Sequence, residues 1–191
     1  MSSVVLSGDS SGSVTLTVPS AAGSNTVTFP ATTGTVALNG TTITQATAVA
    51  TTSGTSIDFT SIPSWVKRII VSLDSVSTSG TANLLVQIGD SGGIETTSYV
   101  SASTSSGTDT TSTAGYVIRS AVATNSTSGL MTLVNITGNT WVASFAGATA
   151  STAVTGGGTK ATSATLDRVR LTTSNGTDTF DAGSVNILYE G

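Results

Sequence analysis

The sequence predicts an all-β protein in which a short N-terminal β repeat precedes a jelly-roll-like β-sandwich head. Charged residues make up only 8% of the 191 residues, and Ser, Thr, Gly and Val are abundant. Thr and Val are β-branched residues, which suit the pleated surface of a sheet. Apolar residues alternate with polar ones in short runs, as expected of half-buried strands. Clusters of Gly, Ser and Asn separate these runs, as turns do.

The most regular alternation lies in residues 12–38. Seven apolar side chains alternate there with small polar residues in three runs: Val14, Leu16 and Val18, then Val27 and Phe29, then Val36 and Leu38. Three strands with so few apolar side chains bury too little surface to be stable alone. We therefore expect these seven side chains to form an oligomerisation surface against further copies of the chain.

The chain divides into three predicted parts. Residues 1–11 are small and polar and are expected to form a flexible lead or docking peptide. Residues 12–54 hold the repeat and a linker, and are expected to serve attachment and association with partner chains. Residues 55–191 form the head, where seven or eight short strands at regular spacing indicate a sandwich.

Within the head, several rows of apolar residues are predicted to face the core. These rows are Ile69, Val71 and Leu73; Leu84, Val86 and Ile88; Val169 and Leu171; and Val185, Ile187 and Tyr189. Gly138 and Asn139 separate two alternating runs and predict a hairpin, because Gly accepts positive φ without steric cost. Residues 101–113 and 149–159 are rich in Ser, Thr and Gly and are expected to be loops at the surface of the head.

Two segments resemble a known class of protein. SGSVTLTVP followed by GSNTVTFPATTGTVAL, in residues 11–38, resembles a repeat of tailed-bacteriophage tail-fibre and other virion surface-fibre proteins. LDRVRLTT, then NGTDTFDAGSVNILY, in residues 166–189, is similar to the closing segment of such heads. The resemblance implies a homotrimer on the phage particle, assembled in the host cytoplasm and attached to other virion proteins.

Composition excludes several functions. The net charge is −4 and the 6 basic residues form no cluster, so nucleic-acid binding is not expected. No run approaches the roughly 20 apolar residues of a membrane helix, and the N-terminus lacks the pattern of a secretion signal. The absence of Cys and His removes disulfides and most transition-metal sites. We expect no cofactor and no membrane insertion.

Enzymatic activity is not expected. The motif GDSGG at residues 89–93 surrounds the nucleophile of chymotrypsin-like proteases, but that serine needs a histidine base and the chain has none. A tight loop after a strand explains the motif better. A glycosidase needs only two suitably spaced carboxyl groups. The candidate pairs are Asp90 with Glu95, and Asp167 with Asp178 or Asp181.

Two further kinds of site were weighed from the residues. Asn175, Asp178 and Asp181 carry oxygen ligands of the type that Ca²⁺ prefers, although a polar turn explains them better, and we predict no metal site. Sugar binding needs aromatic platforms rather than a reactive group. Among the aromatic residues, Tyr99 and Tyr116 flank the predicted loop 101–113 and are the candidate ligand contacts.

These observations lead to one expectation and one alternative. We expect a non-catalytic tail fibre or receptor-binding protein whose head contacts a glycan on the host surface. The alternative is a capsid decoration protein or head fibre, which packs on capsid subunits and stabilises them. Both are structural proteins of a virion.

Overall fold

A computed structural model describes residues 3–7, 13–17, 23, 43–120, 122–150 and 152–191. The chain forms two compact units, Met1–Asn39 and Gly40–Gly191. The described residues form strands and turns, with no helix among them, and every strand pair is antiparallel. The predicted all-β class is confirmed.

The N-terminal unit contains a two-stranded antiparallel ladder. Strand β1 (Ser3–Ser7) pairs with strand β2 (Ser13–Thr17), and Val4 lies opposite Leu16. β2 confirms the strand predicted around Val14 and Leu16. Five of the seven predicted oligomerisation residues lie outside the described residues: Val18, Val27, Phe29, Val36 and Leu38.

Strand β1 lies within residues 1–11, the segment expected to be a flexible lead or docking peptide. Its apolar residues, Val4 to Leu6, are adjacent in sequence and show no alternation, so the pattern gave no strand signal. Pairing with β2 supplies the backbone hydrogen bonds that make this segment a strand.

Among the residues that the structure describes, the C-terminal unit contains fourteen strands, half of them in hairpins. In chain order they are β3 (Thr44–Gln45), β4 (Val49–Ala50), β5 (Ser56–Phe59), β6 (Arg68–Thr78), β7 (Leu84–Asp90), β8 (Gly93–Ile94), β9 (Val100–Ser105), β10 (Thr108–Ser112), β11 (Tyr116–Ile118), β12 (Thr127–Thr137), β13 (Thr140–Thr149), β14 (Thr152–Ala161), β15 (Arg168–Thr173) and β16 (Phe180–Glu190).

These strands form two sheets with one core, as in a β-sandwich. The larger sheet has the order β10-β9-β14-β13-β12-β6-β16-β3, with β4 also paired to β16. The smaller sheet has the order β11-β7-β15-β5, with β8 paired to β7. Buried side chains of both sheets belong to a single cluster. The jelly-roll arrangement remains a prediction.

The predicted inward rows lie in this core. Ile69, Val71 and Leu73 of β6 are buried and alternate with more exposed neighbours. All seven residues of β7 are buried, because this strand is covered on both faces. The hairpin between β12 and β13 is also confirmed, and Gly138 has the positive φ of +50° that the turn requires.

The predicted domain boundary near Gly54 differs from the observed one. Strands β3 and β4 pair with the last strand, β16, so residues 43–50 belong to the C-terminal unit. A two-residue strand carries too short a pattern to be recognised without its partner. The assignment of residues 40–54 to the repeat and linker is therefore corrected.

Candidate ligand-binding surface

Tyr99 and Tyr116 are both buried, at 1% and 0% exposure. Their rings meet edge to face, with centroids 5.1 Å apart. The Tyr99 hydroxyl accepts a hydrogen bond from the Ile88 amide at 2.8 Å, and the Tyr116 hydroxyl donates to the Trp141 carbonyl at 3.1 Å. Burial raises the pKa of both phenols. The expected exposure of these rings is wrong, because the core offers both aromatic packing and partners for the hydroxyls.

The two segments predicted as loops are largely strands. β9 and β10 occupy most of residues 101–113, and β14 occupies most of residues 149–159. Their Ser, Thr and Gly composition suggested loops, but the chain pairs regularly there. Glycine allows β14 to approach β9 closely, since a Cβ at Gly158 would collide with the Val100 carbonyl. The structure brings the two segments together, because β9 pairs with β14 along residues 100–105.

A shallow groove of about 390 Å³ lies where β10, β9 and β14 adjoin. Gly157 and Gly158 line it, and their lack of side chains leaves the backbone accessible. Val100, which is 70% exposed, and Ala102 add apolar surface. The hydroxyl-bearing residues that also line the groove are Ser101, Thr111, Ser112 and Thr113, together with the predicted contact Tyr99, which is only 1% exposed.

A smaller pocket of about 160 Å³ surrounds Arg119, at the opposite end of β9. The segments 101–113 and 149–159 both contribute to it. Its other lining residues are Ser105, Ser106, Ser120, Val122, Asn125, Thr149 and Thr152. Arg119 follows β11 directly, and one of its guanidinium nitrogens, Nη1, donates to Thr110 Oγ1 at 3.0 Å.

Serine side chains of β9 hold the strand that carries Arg119. Ser101 Oγ accepts a hydrogen bond from the Val117 amide at 2.9 Å, and Ser103 Oγ accepts one from the Arg119 amide at 3.2 Å. These bonds join the edge of the smaller sheet to a strand of the larger one. The backbone of Arg119 is thus fixed before its side chain meets any ligand.

A polar cluster lies beneath the turn after β7. Ser163 Oγ donates to Asp90 at 2.5 Å, and the Ser163 amide donates to Glu95 at 2.5 Å. The buried Lys160 ammonium pairs with Glu95 at 2.5 Å and lies 5.3 Å from the centre of the Tyr99 ring. The structure therefore brings together one of the two predicted carboxyl pairs.

Hydrogen bonds lower the pKa of both carboxyl groups in this cluster. The Ser163 hydroxyl and then the Gly92 amide lower the pKa of Asp90. Burial acts to raise the pKa of Glu95, but hydrogen bonds from Lys160 and Ser163 outweigh it and the pKa is lowered. A glycosidase needs one carboxyl group with a raised pKa as the general acid. Neither carboxyl group here has one.

The GDSGG motif forms the turn between β7 and β8. Asp90 Oδ1 accepts a hydrogen bond from the Gly92 amide at 2.8 Å, and Asp90 pairs with Gly93 in the short ladder. A Cβ at Gly89 would collide with the backbone of Gly93. The motif is the tight loop that the sequence predicts.

The candidate calcium ligands Asn175 and Asp178 form hydrogen bonds with each other and with the backbone of a turn. The Asn175 side-chain amide donates to Asp178 Oδ1 at 2.7 Å, and Asn175 Oδ1 accepts from the amides of Thr177 and Asp178. Asp181 instead bonds Ser77. The Asn175 amide and then the Ala82 amide lower the pKa of Asp178. In the part of the chain that the structure describes, no group of three His, Cys, Asp or Glu side chains is placed to hold a metal ion.

The outer surface of the larger sheet is a second candidate surface. Leu130 and Val134 of β12 are 51% and 41% exposed, and Val134 lies opposite the exposed Val142 of β13. Their inward neighbours are the core residues Met131 and Leu133. We call the exposed residues Leu130, Val134 and Val142 the apolar sheet face. Val134 and Val142 are adjacent across the strands, and Thr132 separates them from Leu130 along β12. Exposed apolar patches mark interaction sites in soluble proteins.

No protein-family model, curated protein or solved structure matches this chain. Among the described residues, no helix has the length and apolar character needed to cross a membrane. The site must therefore be interpreted from its own geometry. The sequence did not single out Val100 or Arg119, because an exposed Val and an isolated Arg give no periodic signal.

Proposed function

We propose that the chain is a non-catalytic virion surface protein of a tailed bacteriophage, of the tail-fibre type, whose C-terminal unit binds a glycan on the host. The groove formed by β10, β9 and β14 carries this proposal. Its apolar residues, Val100 and Ala102, suit the C–H faces of a sugar ring. The exposed Thr111 and Thr113 beside this apolar surface supply hydroxyl groups that suit the hydroxyl groups of the sugar, as at other wet interfaces.

Attachment to the particle is proposed for the N-terminal unit. The resemblance of residues 11–38 to fibre repeats supports a homotrimer, and the seven alternating apolar side chains named above would supply its interface. Three copies also bring three head grooves to one target, which raises the overall affinity through effective concentration. Weak single-site sugar binding is then sufficient for attachment.

The apolar sheet face favours a second candidate, a capsid decoration protein. The exposed apolar residues Leu130, Val134 and Val142 are better suited to another protein than to a hydrated glycan. In this alternative the larger sheet packs on capsid subunits and clamps them. Both surfaces lie on the outer face of the larger sheet, in one cross-strand row that runs Val100, Thr159, Val142 and Val134. Val100 and Val134, the two ends of this row, are three strands apart, about 14 Å.

A pair of charge substitutions separates the two candidates. Val100→Asp places a carboxylate in the groove, and Val134→Asp places one on the apolar sheet face. Ile43→Asp is the matched control, because Ile43 is 66% exposed and belongs to neither surface. All three side chains are exposed enough for the fold to tolerate the change.

The readouts are binding of the purified chain to host cells and its incorporation into particles. For a receptor-binding head, Val100→Asp abolishes cell binding while Val134→Asp and Ile43→Asp leave it intact. For a decoration protein, Val134→Asp prevents incorporation and lowers the temperature at which the capsid opens. Wild-type cell binding by Val100→Asp would contradict the groove as the attachment site.

A further inference from the structure

We infer that the Arg119 pocket is a second binding site, specific for a carboxylate-bearing sugar such as a uronic acid. The inference goes beyond the proposed function, because this pocket is separate from the groove and either site can exist without the other. It rests on the charge balance of the chain, the accessible donors of Arg119 and the chemistry of the lining residues.

Arg119 is one of two basic residues without a carboxylate partner among the described residues, and the other, Lys67, is exposed. Four of the six pair with a carboxylate: Arg68 with Glu190, Lys160 with Glu95, Arg168 with Asp167, and Arg170 with Asp58. Arg119 pairs with none among the described residues. Arg119 contacts Thr110 of β10, and the acidic residue next to Thr110 is Asp109. Asp109 is exposed, and as the neighbouring residue of a strand its side chain projects from the opposite face of the sheet.

The guanidinium of Arg119 retains donors for a ligand. A guanidinium has five N–H donors, and only the one bond to Thr110 is made from the side chain to the described structure. Arg119 is half-buried, and the described residues contain no buried side-chain nitrogen without a partner. The remaining guanidinium nitrogens therefore reach the solvent of the pocket. Two adjacent N–H groups match a carboxylate in bidentate geometry.

The rest of the lining selects a sugar. Ser105, Ser106 and Thr152 contribute hydroxyl groups that make no side-chain hydrogen bond to other described residues. Val122, at 47% exposure, offers one apolar contact. The volume of about 160 Å³ equals that of about five water molecules at their liquid volume of roughly 30 Å³ each. The pocket therefore suits one substituted ring or part of one, not an extended chain.

The geometry is preorganised, which favours binding. The backbone of Arg119 is held by the bond to Ser103, and three of the lining residues, Ser105, Thr149 and Thr152, lie in paired strands. Ser106, Ser120, Val122 and Asn125 lie in turns and other segments outside the strands. The side chain is also restrained by Thr110. A rigid site loses less conformational entropy when the ligand binds.

The test is an NMR titration of the full-length protein with glucuronate, glucose and acetate. Glucose replaces the carboxylate of glucuronate by a hydroxymethyl group, and acetate supplies the carboxylate without the ring. We expect glucuronate to bind at residues around Arg119 and at least 10-fold more tightly than either control. Raising the salt concentration weakens this binding through screening.

Substitutions locate the site. Arg119→Gln is expected to lose at least about 10-fold in glucuronate affinity, as for hydrogen bonds to a charged group. Arg119→Lys retains the charge but not the bidentate fork, so it is expected to bind with intermediate affinity. Lys67→Gln is the matched control, because it removes one exposed positive charge elsewhere and should bind like wild type. Thermal unfolding of each variant checks that the fold is retained.

Several outcomes would overturn the inference. These are equal affinity for glucose and glucuronate, equal affinity for acetate and glucuronate, or unchanged binding by a folded Arg119→Gln. Its failure is distinguishable from failure of the proposed function, since Val100→Asp tests the groove through cell binding. Loss of cell binding in Val100→Asp with no glucuronate binding in wild type would retain the groove and reject the Arg119 site.

Discussion

Replacing Tyr99 by phenylalanine removes a hydroxyl that accepts a backbone hydrogen bond at a position of the smaller sheet where no neighbouring strand supplies an acceptor. β7 pairs with β11 as far as Val86 and with β8 from Gly89, which leaves Ile88 between the two partners. The Tyr99 hydroxyl accepts the Ile88 amide at 2.8 Å, and its own hydrogen lies within reach of the Glu95 carbonyl at 3.0 Å. The substitution keeps the ring and its edge-to-face contact, so it isolates the hydroxyl.

The expected cost follows from the groups left without a partner. The Ile88 amide becomes a buried, unpaired donor, which costs about 1–3 kcal/mol. Tyr116→Phe is the matched comparison, and it should cost less, about 0.5–1.5 kcal/mol. The carbonyl that Tyr116 contacts, that of Trp141, also accepts a hydrogen bond from Thr159 at 3.2 Å and so is not left unpaired.

Thermal and urea unfolding measure both variants. At about 2–4 °C per kcal/mol for a domain of this size, Tyr99→Phe should lower the melting temperature by roughly 2–12 °C. Glycan and cell binding should remain, because neither ring is accessible. If Tyr99→Phe were as stable as wild type but lost binding, the Tyr99 hydroxyl would be a ligand contact, and its assignment to hydrogen bonds within the core would be refuted.

Three further outcomes are expected. Gly158→Ala should destabilise the protein by about 1–3 kcal/mol, measured by urea unfolding, because the added Cβ meets the backbone of β9; a neutral effect would contradict that close approach. Arg170→Gln should cost less than about 1 kcal/mol in the same assay, because the bidentate pair with Asp58, at 2.6 and 2.7 Å, is partly exposed. Stability should also fall at alkaline pH: burial raises the folded pKa of Tyr99 and Tyr116, so their stabilisation is complete below the unfolded value of about 10 and is lost as pH rises through the folded values. A melting temperature that does not change as the pH is raised from about 9 to values above the unfolded pKa of about 10 would contradict the burial of these hydroxyls.

Local patterns were sufficient for much of the fold. The alternation at Ile69, Val71 and Leu73 predicts a strand and its buried face, because the period of two holds whatever the strand packs against. The Gly138 hairpin is equally local, since a turn with positive φ depends on the residue at that position. The absence of histidine and cysteine needs no structure either, because composition alone reveals it.

The candidate site was much less predictable. Segments 101–113 and 149–159 were expected to bind ligand as loops, and they line both candidate concavities as paired strands. Tyr99 was expected to be exposed because it adjoins a polar segment. Its burial depends on Ile88 and Tyr116, which are contacts that no sequence spacing encodes.

The sequence by itself determined the all-β class, the positions of the most regular strands, and the chemistry that the protein lacks. These properties follow from composition and from periodicities of two to a few residues. Only the tertiary structure decided that Arg119 has no carboxylate partner among the described residues, whereas Arg170 has Asp58, 112 residues away. The pairing of charges, the burial of aromatic rings and the shape of a groove depend on which distant strands adjoin, and sequence separation carries little information about that.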